Sequence, residues 1–253
     1  MDSLRNMLAM IELELRRLKH DRTELYTRAV QPILWIVVYG PIMSVVKAIP
    51  TGSIPYTDYI TPGVLIQSTT FVSIFYGLTI VWERDSGILK KLLVTPAPRY
   101  ATVIGRSMAS GVRAIFQALV IVPVALLIGV RFVPNITYSI FALLIIFFAS
   151  GGFAATSILV ASFVKTRERF MGIGSAITFP LFFASNALYP VEMMPPILQE
   201  FSLFNPVSYI VDAVRGLTIS GDLANLPIDL IAIATFDAIM FVAASASFKK
   251  IIE

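Results

Sequence analysis

Long stretches without a single charged residue dominate the chain. Ala29–Val46, Tyr59–Trp82, Ala114–Val130, Phe132–Val164 and Phe170–Val191 carry none, and Leu230–Phe248 is interrupted only by Asp237. About 20 apolar residues cross a hydrocarbon layer as helix, because lipid offers the backbone no hydrogen-bond partner. The pattern predicts an all-α, polytopic membrane protein built as a single transmembrane domain, 1–253. Six transmembrane helices are expected at 29–48, 59–82, 105–130, 136–164, 170–190 and 229–248. The run Phe132–Val164 is too short for two helices and a turn. Pro134-Asn135 reads as a turn with one long, tilted helix behind it.

The segments between these runs are patterned too. Over residues 3–26, Leu4, Leu8, Ile11, Leu15, Leu18 and Leu25 share a helical stripe while Arg16, Arg17, Lys19 and Arg22 cover other faces. A basic amphipathic helix beside a first span is expected to lie in the membrane interface. Gly87 permits a turn, Ile88, Leu89, Leu92 and Leu93 form an apolar face, and Pro96 and Pro98 close the segment. A short helix over 86–95 with such a face suits docking into a partner's groove, and a charged connector that only sets topology fits the pattern equally. Residues 192–222 are too apolar for a solvated loop. Two short helices dipping back towards the membrane would bury Met193, Ile197, Phe201, Tyr209 and Val214, as would a small outer cap.

Composition sharpens the picture. At 57% hydrophobic and 14% charged, with a mean hydropathy of +0.80, the chain is excluded as a disordered segment, a nucleic-acid module or an ordinary soluble enzyme. Seventeen of the 20 Lys and Arg residues fall in the N-terminal segment, the loops after spans two and four, and the C-terminus. That bias places both termini in the cytoplasm, leaving Lys47, Arg131 and Arg215 outside. Charges interrupt the first 28 residues, so no signal peptide is expected. No cysteine is present, and the single histidine is His20, which removes thiolate, Ser–His and His-Glu-x-x-His chemistry. No Gly-x-x-x-x-Gly-Lys-Ser/Thr loop occurs, so this chain is expected to hold no cofactor and to be no enzyme. Asp237 is an intramembrane acid; a cation or proton site and a structural acid are both open readings. Ser150-Gly151-Gly152 and Gly172-Ile173-Gly174 put small residues where helices can approach closely.

Two stretches resemble a known family. Trp82-Glu83-Arg84-Asp85-Ser86-Gly87-Ile88-Leu89-Lys90-Lys91-Leu92-Leu93-Val94-Thr95-Pro96 is similar to the Glu-Arg, Gly, Leu-Leu and Thr-Pro pattern of the type-2 permeases of ABC exporters. Tyr189-Pro190-x-Glu192-x-x-Pro195, followed by Asn205-Pro206-x-x-Tyr209-x-x-Asp212-x-x-Arg215, is similar to a second pattern of that family. The likeness runs through essentially the whole chain in order. One departure is Ile88, where the family commonly has Thr.

The resemblance implies the membrane subunit of an ATP-driven exporter in the cytoplasmic membrane. It would work as a homo- or heterodimer with separate ABC ATPase subunits, which would hold the ATP and Mg. Residues 3–26 would be the connecting helix. Residues 86–95 would be the coupling helix, with Glu83, Arg84, Gly87, Leu89, Leu92, Leu93, Thr95 and Pro96 coupling to the ATPase. The pathway would run near spans two and five, where Gln67, Phe71 and Phe75 share one stripe and Phe179, Phe182 and Asn186 another. Tyr189, Pro190, Asn205, Pro206, Tyr209, Asp212 and Arg215 would belong to an outer gate of re-entrant helices. Aromatic walls suit hydrophobic or amphipathic, drug-like cargo. Export of lipid-linked polysaccharide or ions by the same build, and a non-transport scaffold recruiting a cytosolic partner, are the alternatives.

Overall fold

The computed structural model describes residues 12, 16, 22–47, 49–87 and 99–248. Most of the predicted amphipathic segment and residues 88–95 of the predicted coupling segment lie outside them. Glu12 and Arg16, one helical turn apart, form an ion pair at 2.7 Å. The described residues are helical, with no strand among them.

The first helical rod comprises α1 (Arg22–Leu34), a π-helical turn (Trp35–Tyr39) and α2 (Gly40–Val46). Pro41 has no N–H to give the carbonyl one turn back, and the Gly40 N–H reaches Trp35 O instead, which widens the turn. Next come α3 (Tyr56–Asp85), α4 (Arg99–Leu127), α5 (Ile136–Phe163) and α6 (Arg167–Phe183). Two short helices, α7 (Pro196–Phe204) and α8 (Pro206–Arg215), precede α9 (Leu226–Ser247). Asn135 caps α5, its side chain accepting from the Thr137 N–H at 2.9 Å.

Helices α3 and α5 form the centre, packed on each other and flanked by α4, α9, α6 and α8. Small residues permit this. A side chain at Gly77 of α3 would overlap Ser157 Oγ and Phe170, and one at Gly63 would strike the backbone of Ala187. Ser157 answers the close approach chemically, because its oxygen accepts the Gly77 N–H at 2.8 Å and its hydroxyl donates to Ile74 O. One apolar cluster gathers Ile60, Ile66, Phe153, Ile210 and Leu217; a second gathers Ile80, Val103, Ile158, Phe170 and Phe248. On the perimeter Val45, Leu127, Ile136, Phe204 and Val242 are each more than 70% exposed. An apolar surface of that extent is one that lipid, not water, solvates.

Five helical segments among the described residues are long and apolar enough to cross a membrane: Tyr26–Val46, Tyr56–Asp85, Tyr100–Leu127, Ile136–Phe163 and Leu226–Ser247. The chain is thus a multi-pass membrane protein. The expected span at 170–190 corresponds to α6, which has 17 residues and takes Arg167, Glu168 and Arg169 into its first turn. It stops at Phe183, short of the expected end, where the Asn205 side chain captures the carbonyls of Leu181 and Ala184 at 2.6 and 2.9 Å. Helix α4 begins at Arg99, before the expected 105, and two of its arginines are accommodated inside the protein. Arg106 meets Glu83, and the Arg113 guanidinium lies over the Tyr76 ring at 5.2 Å.

Candidate functional site

Three constellations concern function, two at opposite ends of α3 and one along its side. The first lies at the end where Arg84, Arg106, Lys165, Arg167 and Arg169 gather, here called the basic end. The Glu83 carboxylate accepts from the Arg106 guanidinium at 2.5 Å, with the two side chains only 11% and 5% exposed. Its neighbour Arg84 reaches the other way and donates to the carbonyls of Val164 and Lys165 at 2.9 and 2.7 Å. Asp85 faces Arg167 at 3.4 Å, and the Arg167 guanidinium rests on the Trp82 ring at 4.2 Å. The last turn of α3 is therefore tied to α4 and to the α5–α6 link. Gly87 then turns the chain with φ of +72°, a conformation that a side chain resists. Of the residues proposed to meet an ATPase, Glu83 and Arg84 are engaged with their own chain, Gly87 makes the turn, and Leu89, Leu92, Leu93, Thr95 and Pro96 lie outside the described residues.

The second constellation is a cavity of about 350 Å³ between α1 and α3, a volume typical of small-molecule sites. Gln67, Phe71 and Phe75 line it together with Thr27, Arg28 and Gln31. The rings of Phe71 and Phe75 stack at 5.9 Å, and Phe179 of α6 meets Phe71 edge-on at 5.4 Å. Phe182 turns away and is fully buried, its ring 6.4 Å from that of Trp35. Asn186 lies beyond α6 at the far end, away from the cavity's lining. The aromatic stripe of α3 and Phe179 come together, whereas Phe182 and Asn186 serve packing and anchoring. Reading the chain alone missed Arg28 and Gln31. Their i, i+3 spacing at the start of the first span is a signal that one of its faces meets something polar.

The third constellation is at the far end. Arg215, at the end of α8, is buried with its guanidinium 3.8 Å from the Tyr59 ring centre. It donates to Asn186 O at 2.7 Å and to Tyr59 O at 3.3 Å, and the Tyr59 hydroxyl also donates to Asn186 O at 3.1 Å. Asn205 caps α8 through the Val207 N–H at 3.0 Å while holding the end of α6. Pro206 supplies the first residue of α8, where a missing N–H is harmless. The hydroxyls of Tyr189 and Tyr209 donate to Phe183 O at 2.5 Å and Leu203 O at 2.6 Å. Burial raises the Tyr189 phenol above its usual range, which keeps that donor protonated. Pro190 leads into a 3-10 turn at Val191–Met193, and Asp212 accepts from the Asn225 amide at 3.3 Å. Asp237 sits apart, in the α5–α9 contact against Gly152; its Oδ1 is buried without a hydrogen-bond partner, and among the described residues no cation pairs with it.

An apolar helical assembly, with a lateral aromatic cavity and a charged turn at one helix end, defines a multi-pass membrane protein. The chain belongs to the ABC-2 type transporter family, whose model matches residues 5–219. It is 26% identical over 220 residues to the proposed transport permease ycf38 of Cyanophora paradoxa, covering 85% of this chain and 74% of that one. It is 27% identical over 210 residues to the probable doxorubicin resistance ABC transporter permease protein DrrC of Mycobacterium tuberculosis, covering 82% and 74%. A third relative is the daunorubicin resistance ABC transporter permease protein DrrB1 of Streptomyces coeruleorubidus, 24% identical over 203 residues, with 79% and 70% covered. These relatives are permease subunits of transporters, and the chain is a permease of that family.

Proposed function

We propose that the chain is the membrane half of an ATP-driven exporter for hydrophobic or amphipathic, drug-like compounds. It acts in the cytoplasmic membrane as a dimer energised by separate ABC ATPase subunits. The observation that carries this reading is family membership across most of the chain, with relatives named for doxorubicin and daunorubicin resistance. The aromatic cavity beside α3 supports it by offering a small-molecule site of matching chemistry. In this reading the basic end faces the cytoplasm, both termini lie there, and α6 counts as a sixth span. Helices α7 and α8 form the re-entrant outer gate.

The mechanism follows from how the ends of α3 are held. ATP closes the partner subunits and displaces the coupling segment after Gly87. Glu83 and Arg84 act by position: they make the end of α3 move with α4 and with the α5–α6 link. Packed helices transmit such a shift nearly rigidly, so the cavity exchanges inner for outer access. ATP drives this only by binding the outward state more tightly.

Co-purification with an ABC ATPase, together with substrate-stimulated hydrolysis by the reconstituted pair, tests the reading. Gly87→Pro cannot keep a positive φ, and Leu92→Glu charges the predicted apolar face. Both variants are expected to insert normally and to lose export. Normal ATP-driven export by both would overturn the coupling assignment.

A further inference from the structure

A second cavity lies at the far end, apart from the aromatic one. It holds about 70 Å³, and its lining includes Asp212 and Arg215 of α8, Ser220, Asp222 and Asn225 of the link that follows, and Asp229 in the first turn of α9. Asp229 is the unusual member. It is only 3% exposed, yet among the described residues no hydrogen bond or ion pair engages its carboxylate. A buried charge left in that state is costly unless something else completes it. The neighbouring acids are partly engaged. Asp212 spends one oxygen on the Asn225 amide at 3.3 Å, and Asp222 spends one on the Ala224 N–H at 3.0 Å. The Arg215 guanidinium is turned to the carbonyls of Asn186 and Tyr59, at 2.7 and 3.3 Å. Three carboxylates therefore share this space with one guanidinium, and the charge of Asp212 adds to that of Asp229.

We infer that this cavity binds a primary ammonium group. A cation is what the excess negative charge requires. Among the described residues no group of three acids is placed to ligate a metal ion directly. An ammonium makes no such demand: its three N–H donors take separate acceptors, and bonds to carboxylates are the strong, charge-assisted kind. The volume admits the head and a short stem, and is well below that of a site for a whole drug-sized molecule. A quaternary ammonium has the charge but no N–H to give Asp229. The head belongs to a free amine or to an amine-bearing lipid headgroup. The second source suits the position, since the exposed Ile228 and Ile231 beside Asp229 are residues that lipid solvates.

Purified full-length protein in phosphatidylcholine nanodiscs is titrated with fluoroethylammonium, and broadening of the probe's fluorine NMR line reports binding. Fluoroethyl trimethylammonium carries the same charge without N–H donors and serves as the comparison. The primary ammonium should bind about tenfold more tightly than the quaternary salt. Asp229→Asn should weaken its binding about tenfold or more. Equal binding of the two salts would overturn the inference, as would undiminished binding by an Asp229→Asn variant of natural helical content. Should that variant lose its helical signal, Asp212→Asn, at a half-buried position, decides in its place by the same criterion. Magnesium chloride that displaces the probe below the probe's own Kd, when sodium chloride of equal ionic strength does not, would overturn it in favour of a metal ion. Added phosphatidylethanolamine that displaces the probe supports the site with a headgroup as its source, and failure to displace supports it with a free amine. No ATPase enters the measurement, so its result is independent of the export reading.

Discussion

Breaking the Glu83–Arg106 pair one side at a time is the sharpest test of how the basic end is built. The side chains meet at 2.5 Å and are 11% and 5% exposed, so solvent screens them little. With charge centres about 4 Å apart and an effective dielectric constant near 20, their attraction is about 4 kcal/mol. Glu83→Gln takes the counter-charge from the buried Arg106 guanidinium, and Arg106→Met takes the Arg106 charge away from the Glu83 carboxylate. Each single change should cost about 3–5 kcal/mol. The double variant removes both charges together and should recover most of that loss, since replacing a buried pair by neutral groups is often nearly neutral. Reversible unfolding of the purified protein in mixed micelles, followed by helical circular dichroism, gives all four corners of the cycle. A coupling energy of at least about 4 kcal/mol is expected. Single effects that sum to the double within about 0.5 kcal/mol would refute the claim that this pair ties α3 to α4.

Three further outcomes are expected. Gly77→Ala forces a methyl group into Ser157 and Phe170 and should lower stability by about 1–3 kcal/mol, seen as an earlier unfolding midpoint. Asn205→Ala removes the cap on α8 and both bonds to the end of α6, at a cost of about 2 kcal/mol. Asn205→Asp keeps the acceptor but sets a buried carboxylate oxygen against the two carbonyls at the end of α6, and should be at least as destabilising as Asn205→Ala in the same assay. Gly87→Ala strains a φ of +72° by about 1–2 kcal/mol, and Gly87→Asn, which tolerates that region, should unfold closer to the natural protein.

The membrane-crossing rods were legible from the chain because lipid imposes a simple rule: a helix that spans must be predominantly apolar over about 20 residues. Ends and partners were less legible. The run behind α4 begins at Ala114, yet the helix continues back to Arg99, since Glu83 and Tyr76 receive Arg106 and Arg113. Those acceptors lie on another helix, and no local pattern reveals them. Likewise, Glu83-Arg84 in a cytoplasmic loop reads as a partner-facing motif, and only the fold places its groups on Arg106, Val164 and Lys165. The stripe of Phe179 and Phe182 could be drawn from spacing, but adjacent faces of one helix meet different neighbours. Phe179 turns to Phe71 and Phe182 to Trp35. Asn205 and Arg215 could be singled out by family pattern alone; that they converge on the carbonyls flanking the end of α6 depended on the chain folding back through α7 and α8.

These contacts hold α3 at both of its ends, and in the proposed export reading α3 is the element that links them. Its 30 residues extend about 45 Å, the full thickness of a bilayer with its headgroups. At the basic end it is held by Arg106 on one side and, through Arg84, by the α5–α6 link on the other. At the far end Tyr56 and Tyr59 donate to the carbonyls of Leu188 and Asn186, and Arg215 closes over Tyr59. Between the two, the face carrying Gln67, Phe71 and Phe75 borders the cavity. A push applied after Gly87 therefore cannot be absorbed by loosening the last turn of α3 alone. It must either move α3 as a rod, which alters cavity and far end together, or break the charged ties at its base. A permease energised from one side needs the first outcome. The Glu83–Arg106 pair and the Arg84 carbonyl clamp are the bonds that favour it.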